Sequence, residues 1–111
     1  MRTVTPQGLK DMQDAGQKFV LVNTLPADHF EQTKIVGAVN IPESDSDFVD
    51  RVKKQAGNKH ETVVVYCANS DCDSSTRGAR MLEDAGFTHV IDFESGADGW
   101  KNAGLQETVS A

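Results

Sequence analysis

Cys67 and Cys72 are the two cysteines of the chain, five residues apart. Around them runs a polar segment, Ala68, Asn69, Ser70, Asp71, Cys72, Asp73 and Ser74. Cys67 directly follows Thr62-Val63-Val64-Val65-Tyr66, and a helical pattern begins at about Ser75. A cysteine between a strand end and a helix N-terminus meets unpaired backbone N–H groups and the positive end of the helix dipole. Both favour the thiolate, which is the nucleophile. The same position also suits a buried structural cysteine. Cys72 could attack an oxidised Cys67 and close an intraloop disulfide, or be a second thiol with no role. Two cysteines make no disulfide framework, and no Cys or His neighbours the pair to complete a zinc site, so no metal is expected.

The elements that must hold this loop follow from alternating residue periods. Thr3-Val4 opens a short strand, and Thr5-Pro6 reads as an N-cap with proline at the first helical position. The helix that follows turns Leu9 and Met12 inward and stops near Ala15-Gly16. Phe19-Val20-Leu21-Val22 is a continuous apolar run of strand length, as in a strand covered on both faces. A short helix over Ala27 to Gln32, anchored by Phe30, precedes a strand from Ala38 to Ile41 that Pro42 closes. Ser46 or Asp47 caps a helix with Phe48, Val49, Val52 and Ala56 on one face, ended by Gly57-Asn58.

The strand before Cys67 is the clearest. The helix after the loop should bury Met81, Leu82 and Ala85, with Gly86 at the positive-φ position that ends it. His89 to Phe93 gives a last strand, and Ser95-Gly96 leads into a short helix carrying Ala97, Trp100 and Ala103. The tail from Gln106 should fray. Strands alternating with helices predict one α/β domain over 1–111, a five-stranded, mostly parallel sheet flanked by helices.

Composition narrows the partners. Hydrophobic residues are 38% and charged residues 25%, which excludes disorder and fibrous repeats. The net charge of −6 argues against nucleic acid or an anionic membrane surface, since phosphate neutralisation needs clustered Lys and Arg. The longest apolar run, Val63 to Ala68, is far short of a membrane span, and MRTVTPQGLK lacks a signal peptide's apolar stretch, so a cytoplasmic location is expected. His29, His60 and His89 are scattered and read as surface residues, with His29 the one that could approach the loop. Trp100 reads as a core anchor. Arg77, in the first turn after the loop, is the cation placed to reach a bound anion.

In order along the chain, five segments make the sequence resemble a single-domain rhodanese, a sulfurtransferase. They are Phe19 to Thr24; His29-Phe30-Glu31 with Ile35-Val36-Gly37-Ala38-Val39-Asn40-Ile41-Pro42; Val63 to Cys67; Ala79 to Phe87; and Val90, Glu94, Gly96 and Trp100. The resemblance implies a three-layer domain in which Cys67 takes a sulfane sulfur from a small donor or a protein persulfide. Cys67 holds it as a persulfide and yields it to a thiol or cyanide, with no cofactor. The N–H groups of Ala68 through Ser74 would cradle the charge, as at other anion sites on helix N-termini.

This sequence departs from the common pattern in three places. The loop is about two residues longer, since Ser75 stands eight positions after Cys67 where the family's helix-starting Ser or Thr stands six after. Asn23 and Leu25 replace the Asp and Arg of the "D-x-R" signature. Asp73 occupies the position at which the long-loop phosphatases and arsenate reductases of this fold carry Arg. With Asp71 it would repel a phosphate dianion, which rules out the phosphatase reading. Two functions remain: sulfur transfer through a Cys67 persulfide, or a non-catalytic or redox-sensing binding module using the Cys67/Cys72 pair.

Overall fold

The computed structural model describes residues 2–105; the expected fraying from Gln106 lies outside the described residues. Five strands, β1 (Arg2–Thr3), β2 (Val20–Asn23), β3 (Ala38–Asn40), β4 (Val63–Tyr66) and β5 (Val90–Phe93), form one sheet in the order β1-β5-β4-β2-β3. Every pairing is parallel. Five helices connect and follow them: α1 (Pro6–Asp14), α2 (Ala27–Thr33), α3 (Phe48–Ala56), α4 (Ser74–Asp84) and α5 (Gly96–Asn102).

β4 is central and fully buried, and its side chains alternate between two cores. Val63 and Val65 pack with Phe48, Val52 and Ala56 of α3 and Ala79 and Leu82 of α4. Val64 and Tyr66 pack on the other face with Leu9 of α1, Ile35, Phe93 and Trp100 of α5. The result is three layers, helix on sheet on helix, with the continuous apolar strands explained by cover on both faces. Trp100 is the expected core anchor, set edge-on to Phe93 with ring centroids 6.4 Å apart.

Local expectations hold at most helix ends. The Thr5 hydroxyl accepts from the Gly8 N–H at 3.0 Å, with Pro6 at the first helical position. Gly57 and Gly86 take positive φ after α3 and α4. Asp47 precedes α3 but makes no side-chain cap bond. α2 buries no residue, and Phe30 is half-buried beneath Lys34. One expectation fails: Met81 is 37% exposed. The buried stripe of α4 is Ser74, Ser75, Gly78, Ala79 and Leu82, because small residues let the helix lie close against the sheet and Met81 falls on the outer face.

Two polar side chains tie the sheet to the loops at its C-terminal edge. Asn23, buried in β2, donates through Nδ2 to Thr33 Oγ1 at 2.9 Å and accepts the Leu25 N–H at 3.0 Å. This fixes the chain where the signature Asp and Arg are absent. The Tyr66 hydroxyl donates to the Thr33 carbonyl at 2.8 Å and accepts the Ile35 N–H at 3.0 Å. Burial pushes this phenol up to about 12 despite the bonds from Asn23 and Ile35.

Candidate active site

Cys67 lies directly beyond β4, at the sheet edge where open parallel sheets bind ligands, and its residue is 1% exposed. The loop from Cys67 to Asp73 then feeds α4. It is shaped by Asn69, whose side-chain oxygen accepts the Asp71 N–H at 3.0 Å and whose carbonyl accepts the Cys72 N–H at 3.2 Å. That turn folds Cys72 back over Cys67, whose thiol donates to the Cys72 carbonyl oxygen, so the two sequence-predicted cysteines meet. Both are free thiols, Cys67 buried and Cys72 half-buried.

The far side of the loop is held by α5. The Ala97 N–H donates to the Cys67 carbonyl and the Asp98 N–H to the Ala68 carbonyl, each at 2.9 Å. Gly96 permits this approach: its φ is 65°, and a Cβ there would sit 2.4 Å from the Cys67 carbonyl oxygen.

The cradle differs from the sequence expectation. The N–H groups of Asp71 and Cys72 are spent on Asn69, and those of Ala68 and Ser74 face the Cys72 sulfur rather than Cys67. Cys67 instead receives the Ser75 N–H, outside the expected set. Its sulfur also lies 3.3 Å from the Cys72 carbonyl oxygen and 3.7 Å from Ser75 Oγ. Burial, and then the bond to Cys72, push the Cys67 thiol above the ordinary range, against the pull of Ser75 and Ser74. For Cys72, burial is outweighed by bonds from Cys67, from the Ser74 hydroxyl and N–H, and from the Ala68 N–H, and its thiol falls below the ordinary range.

Beneath the thiols runs a buried polar network that the sequence reading did not pick out. Asp92, fully buried in β5, accepts the Ser75 hydroxyl at 2.7 Å and the Thr76 hydroxyl at 2.8 Å. Ser74 Oγ lies 2.8 Å from Thr24 Oγ1 and 3.4 Å from the Cys72 sulfur, and the Thr24 hydroxyl reaches the Tyr66 carbonyl at 3.1 Å. A charged residue inside the doubly covered strand Val90-Ile91-Asp92-Phe93 was the signal that could have found it.

Arg77, the cation that could reach a bound anion, is already paired with carboxylates. Its guanidinium binds Glu43 Oε1 through Nε at 3.2 Å and a terminal nitrogen at 2.8 Å, and it also pairs with Asp73. Two carboxylates thus neutralise the cation offered for an anion. Asp71 is exposed and lines a cleft with Asn69, Ser70, Ser95, Asp98, Gly99 and Asn102, whose two charged groups, Asp71 and Asp98, are both acidic. His29 is exposed on α2 and is not among the groups bonded to Cys67, while His60 and His89 share Thr88 at the opposite sheet edge. Among the described residues no three His, Cys, Asp or Glu side chains are grouped to hold a metal ion, and no helix is long and apolar enough to cross a membrane.

Comparison with known proteins agrees with this fold. The family model described as rhodanese-like domain matches residues 5–103. An adenylyltransferase and sulfurtransferase of Zea mays, MOCS3-1, is 29% identical over 101 residues, covering 87% of this chain and 21% of that protein. The HTH-type transcriptional regulator Rv0324 of Mycobacterium tuberculosis is 29% identical over 102 residues, covering 92% of this chain and 42% of that one. The chain thus spans less than half the length of either relative. Among solved structures, a thiosulfate sulfurtransferase from Pseudomonas aeruginosa superposes with a TM-score of 0.83 at 25% identity, over 94% of this chain and 19% of that one. The rhodanese-like domain of the Anabaena protein Alr3790 matches 100% of this chain and 86% of its own, with a TM-score of 0.78 at 23% identity.

Proposed function

The chain belongs to the rhodanese-like domain family, and from that premise we propose that it is a sulfurtransferase acting through a persulfide on Cys67. The observation that carries this reading is the free, enclosed Cys67 thiol at the end of β4, set against the first turn of α4 with Ser75 Oγ 3.7 Å from its sulfur and Cys72 folded back beside it. The Cys67 thiolate attacks a sulfane sulfur, the donor's bond to that sulfur breaks, and Cys67 keeps the sulfur as Cys67–S–S⁻ while the donor's remainder departs with the bonding electron pair. With thiosulfate the leaving group is sulfite. The Ser75 N–H and the N-terminus of α4 face the charge that develops. A thiol or cyanide then removes the outer sulfur. This chemistry calls on no cofactor and needs a reducing compartment such as the cytoplasm, where both thiols stay available.

The acidic surroundings favour a neutral or protein-bound persulfide donor over a dianion. Asp71 and Asp73 are exposed at the loop, and Arg77 is occupied by Glu43 and Asp73. The relatives, which include both a sulfurtransferase and a transcriptional regulator, keep a second reading, a redox-sensing binding module using the same pair. Sulfur-donor:cyanide turnover separates the two. The enzyme reading expects thiocyanate from wild type and none from Cys67→Ser; no thiocyanate from wild type with any donor leaves the module.

A further inference from the structure

The site holds a second thiol that simple sulfur transfer does not require. We propose that Cys72 discharges the Cys67 persulfide as hydrogen sulfide by closing a Cys67–Cys72 disulfide, which makes the protein a sulfane-sulfur reductase. The proposal rests on the sulfur-transfer reading above and adds the fate of the sulfur.

The argument begins from which side of Cys67 is free. Cys72 already packs against Cys67, its carbonyl oxygen 3.3 Å from the Cys67 sulfur, so a sulfur added to Cys67 must project on another side. Thiol attack on a disulfide-type bond runs in line with the bond that breaks. From its position Cys72 therefore meets the inner sulfur, Cys67 Sγ, and drives off the outer one. The leaving groups agree with this direction. Attack on the outer sulfur would expel Cys67 as a thiolate into an enclosed position where burial disfavours charge, whereas attack on the inner sulfur expels HS⁻. Cys72 is also equipped as the nucleophile, with the Ala68 and Ser74 N–H groups and the Ser74 hydroxyl at 3.4 Å directed at its sulfur.

The step balances. Cys67–S–S⁻ and Cys72–SH give Cys67–S–S–Cys72 and HS⁻: the Sγ67–S bond breaks, the Sγ67–Sγ72 bond forms, and the Cys72 proton leaves on the expelled sulfur. The sulfane sulfur is reduced to sulfide as the two thiols are oxidised. A dithiol reductant then reopens the disulfide for the next cycle.

The test loads wild-type and Cys72→Ser protein with thiosulfate in the absence of any thiol. Small molecules are removed by rapid gel filtration, free sulfide is trapped with monobromobimane, and intact mass is read without reduction. Wild type should release about one sulfide per chain and lose two hydrogens, while Cys72→Ser should retain the added sulfur on Cys67 and release sulfide about a hundredfold more slowly. Wild type that keeps the added sulfur as long as Cys72→Ser does, or Cys72→Ser that releases sulfide as fast as wild type, overturns the proposal and leaves sulfur transfer standing. If neither protein takes up sulfur at Cys67, the sulfur-transfer reading fails, and this inference with it.

Discussion

Ser75 and Asp92 join the first turn of α4 to the middle of β5 through a buried 2.7 Å hydrogen bond, directly beneath the Cys67 thiol. Asp92 is fully enclosed and accepts from Thr76 as well, so the carboxylate organises the helix start that faces the reactive sulfur.

Asp92→Ala strands the buried Ser75 hydroxyl and the half-buried Thr76 hydroxyl and opens a cavity, and should lower stability by about 3 kcal/mol. Asp92→Asn keeps one acceptor and should cost roughly half as much. Urea denaturation of the three proteins checks the order; equal midpoints would mean that the network is dispensable.

The thiols should not react alike. Cys72 is half-buried with a lowered pKa, and Cys67 is enclosed with a raised one, so iodoacetamide near neutral pH should label Cys72 at least about tenfold faster. In Cys72→Ser the partner that raises the Cys67 thiol is gone. The midpoint of Cys67 alkylation against pH should therefore fall, while burial keeps it above the ordinary thiol range. Peptide mapping across pH reads both effects.

The pairing of Arg77 with Glu43 and Asp73 makes a charge prediction. Thiosulfate should show a high KM that falls with added salt as Asp71 and Asp73 are screened. The double substitution Glu43→Gln with Asp73→Asn frees the guanidinium, and should lower this KM about tenfold, or about 1.4 kcal/mol. A neutral persulfide donor should respond to neither salt nor substitution. Turnover at low and high ionic strength measures it.

Gly96→Ala places a Cβ 2.4 Å from the Cys67 carbonyl oxygen and 2.9 Å from the Ala68 carbonyl carbon, at a φ of 65°. Both contacts are backbone and cannot swing away. The variant should lose about 3 kcal/mol or more, together with the placement of Cys67. Thermal melting and thiol alkylation should move together; an unchanged alkylation profile would show that α5 does not set the loop.

Tyr66 sets the alkaline limit. Its folded-state pKa of about 12 lies above the ordinary 10.0, so the stability it contributes is whole below pH 10 and is lost as pH rises through about 12. The loss amounts to about 2–3 kcal/mol. Tyr66→Phe should be less stable near neutrality, by about 1–2 kcal/mol for its two hydrogen bonds, yet lack this alkaline decline. Denaturation of both proteins across that window provides the comparison.

How far the sequence reaches can be judged residue by residue. The strand before Cys67 was legible because an apolar run of strand length needs cover on both faces, and Gly57 and Gly86 marked the ends of α3 and α4. At Met81 the stripe of α4 departs from the expectation, because the small Gly78 and Ala79 lie on the buried face and Met81 on the outer one. The pairing of Cys67 with Cys72 was open in sequence, since it depends on a turn that Asn69 closes with its own carbonyl and side chain. The direction of each loop N–H depends on backbone angles that residue identity does not fix, so the cradle fell around Cys72. Arg77 is engaged by Glu43, 34 residues distant, a pairing that no local pattern reveals.

The central claim is that Cys67 carries the sulfur. Cys72→Ser protein, which lacks the discharging thiol, is exposed to a persulfide or thiosulfate donor, digested without reduction and mapped by mass. The account predicts an added mass of about 32 Da, one sulfur, on the peptide containing Cys67. An unmodified Cys67 peptide in that variant, with wild type carrying the extra sulfur on Cys72, would contradict it.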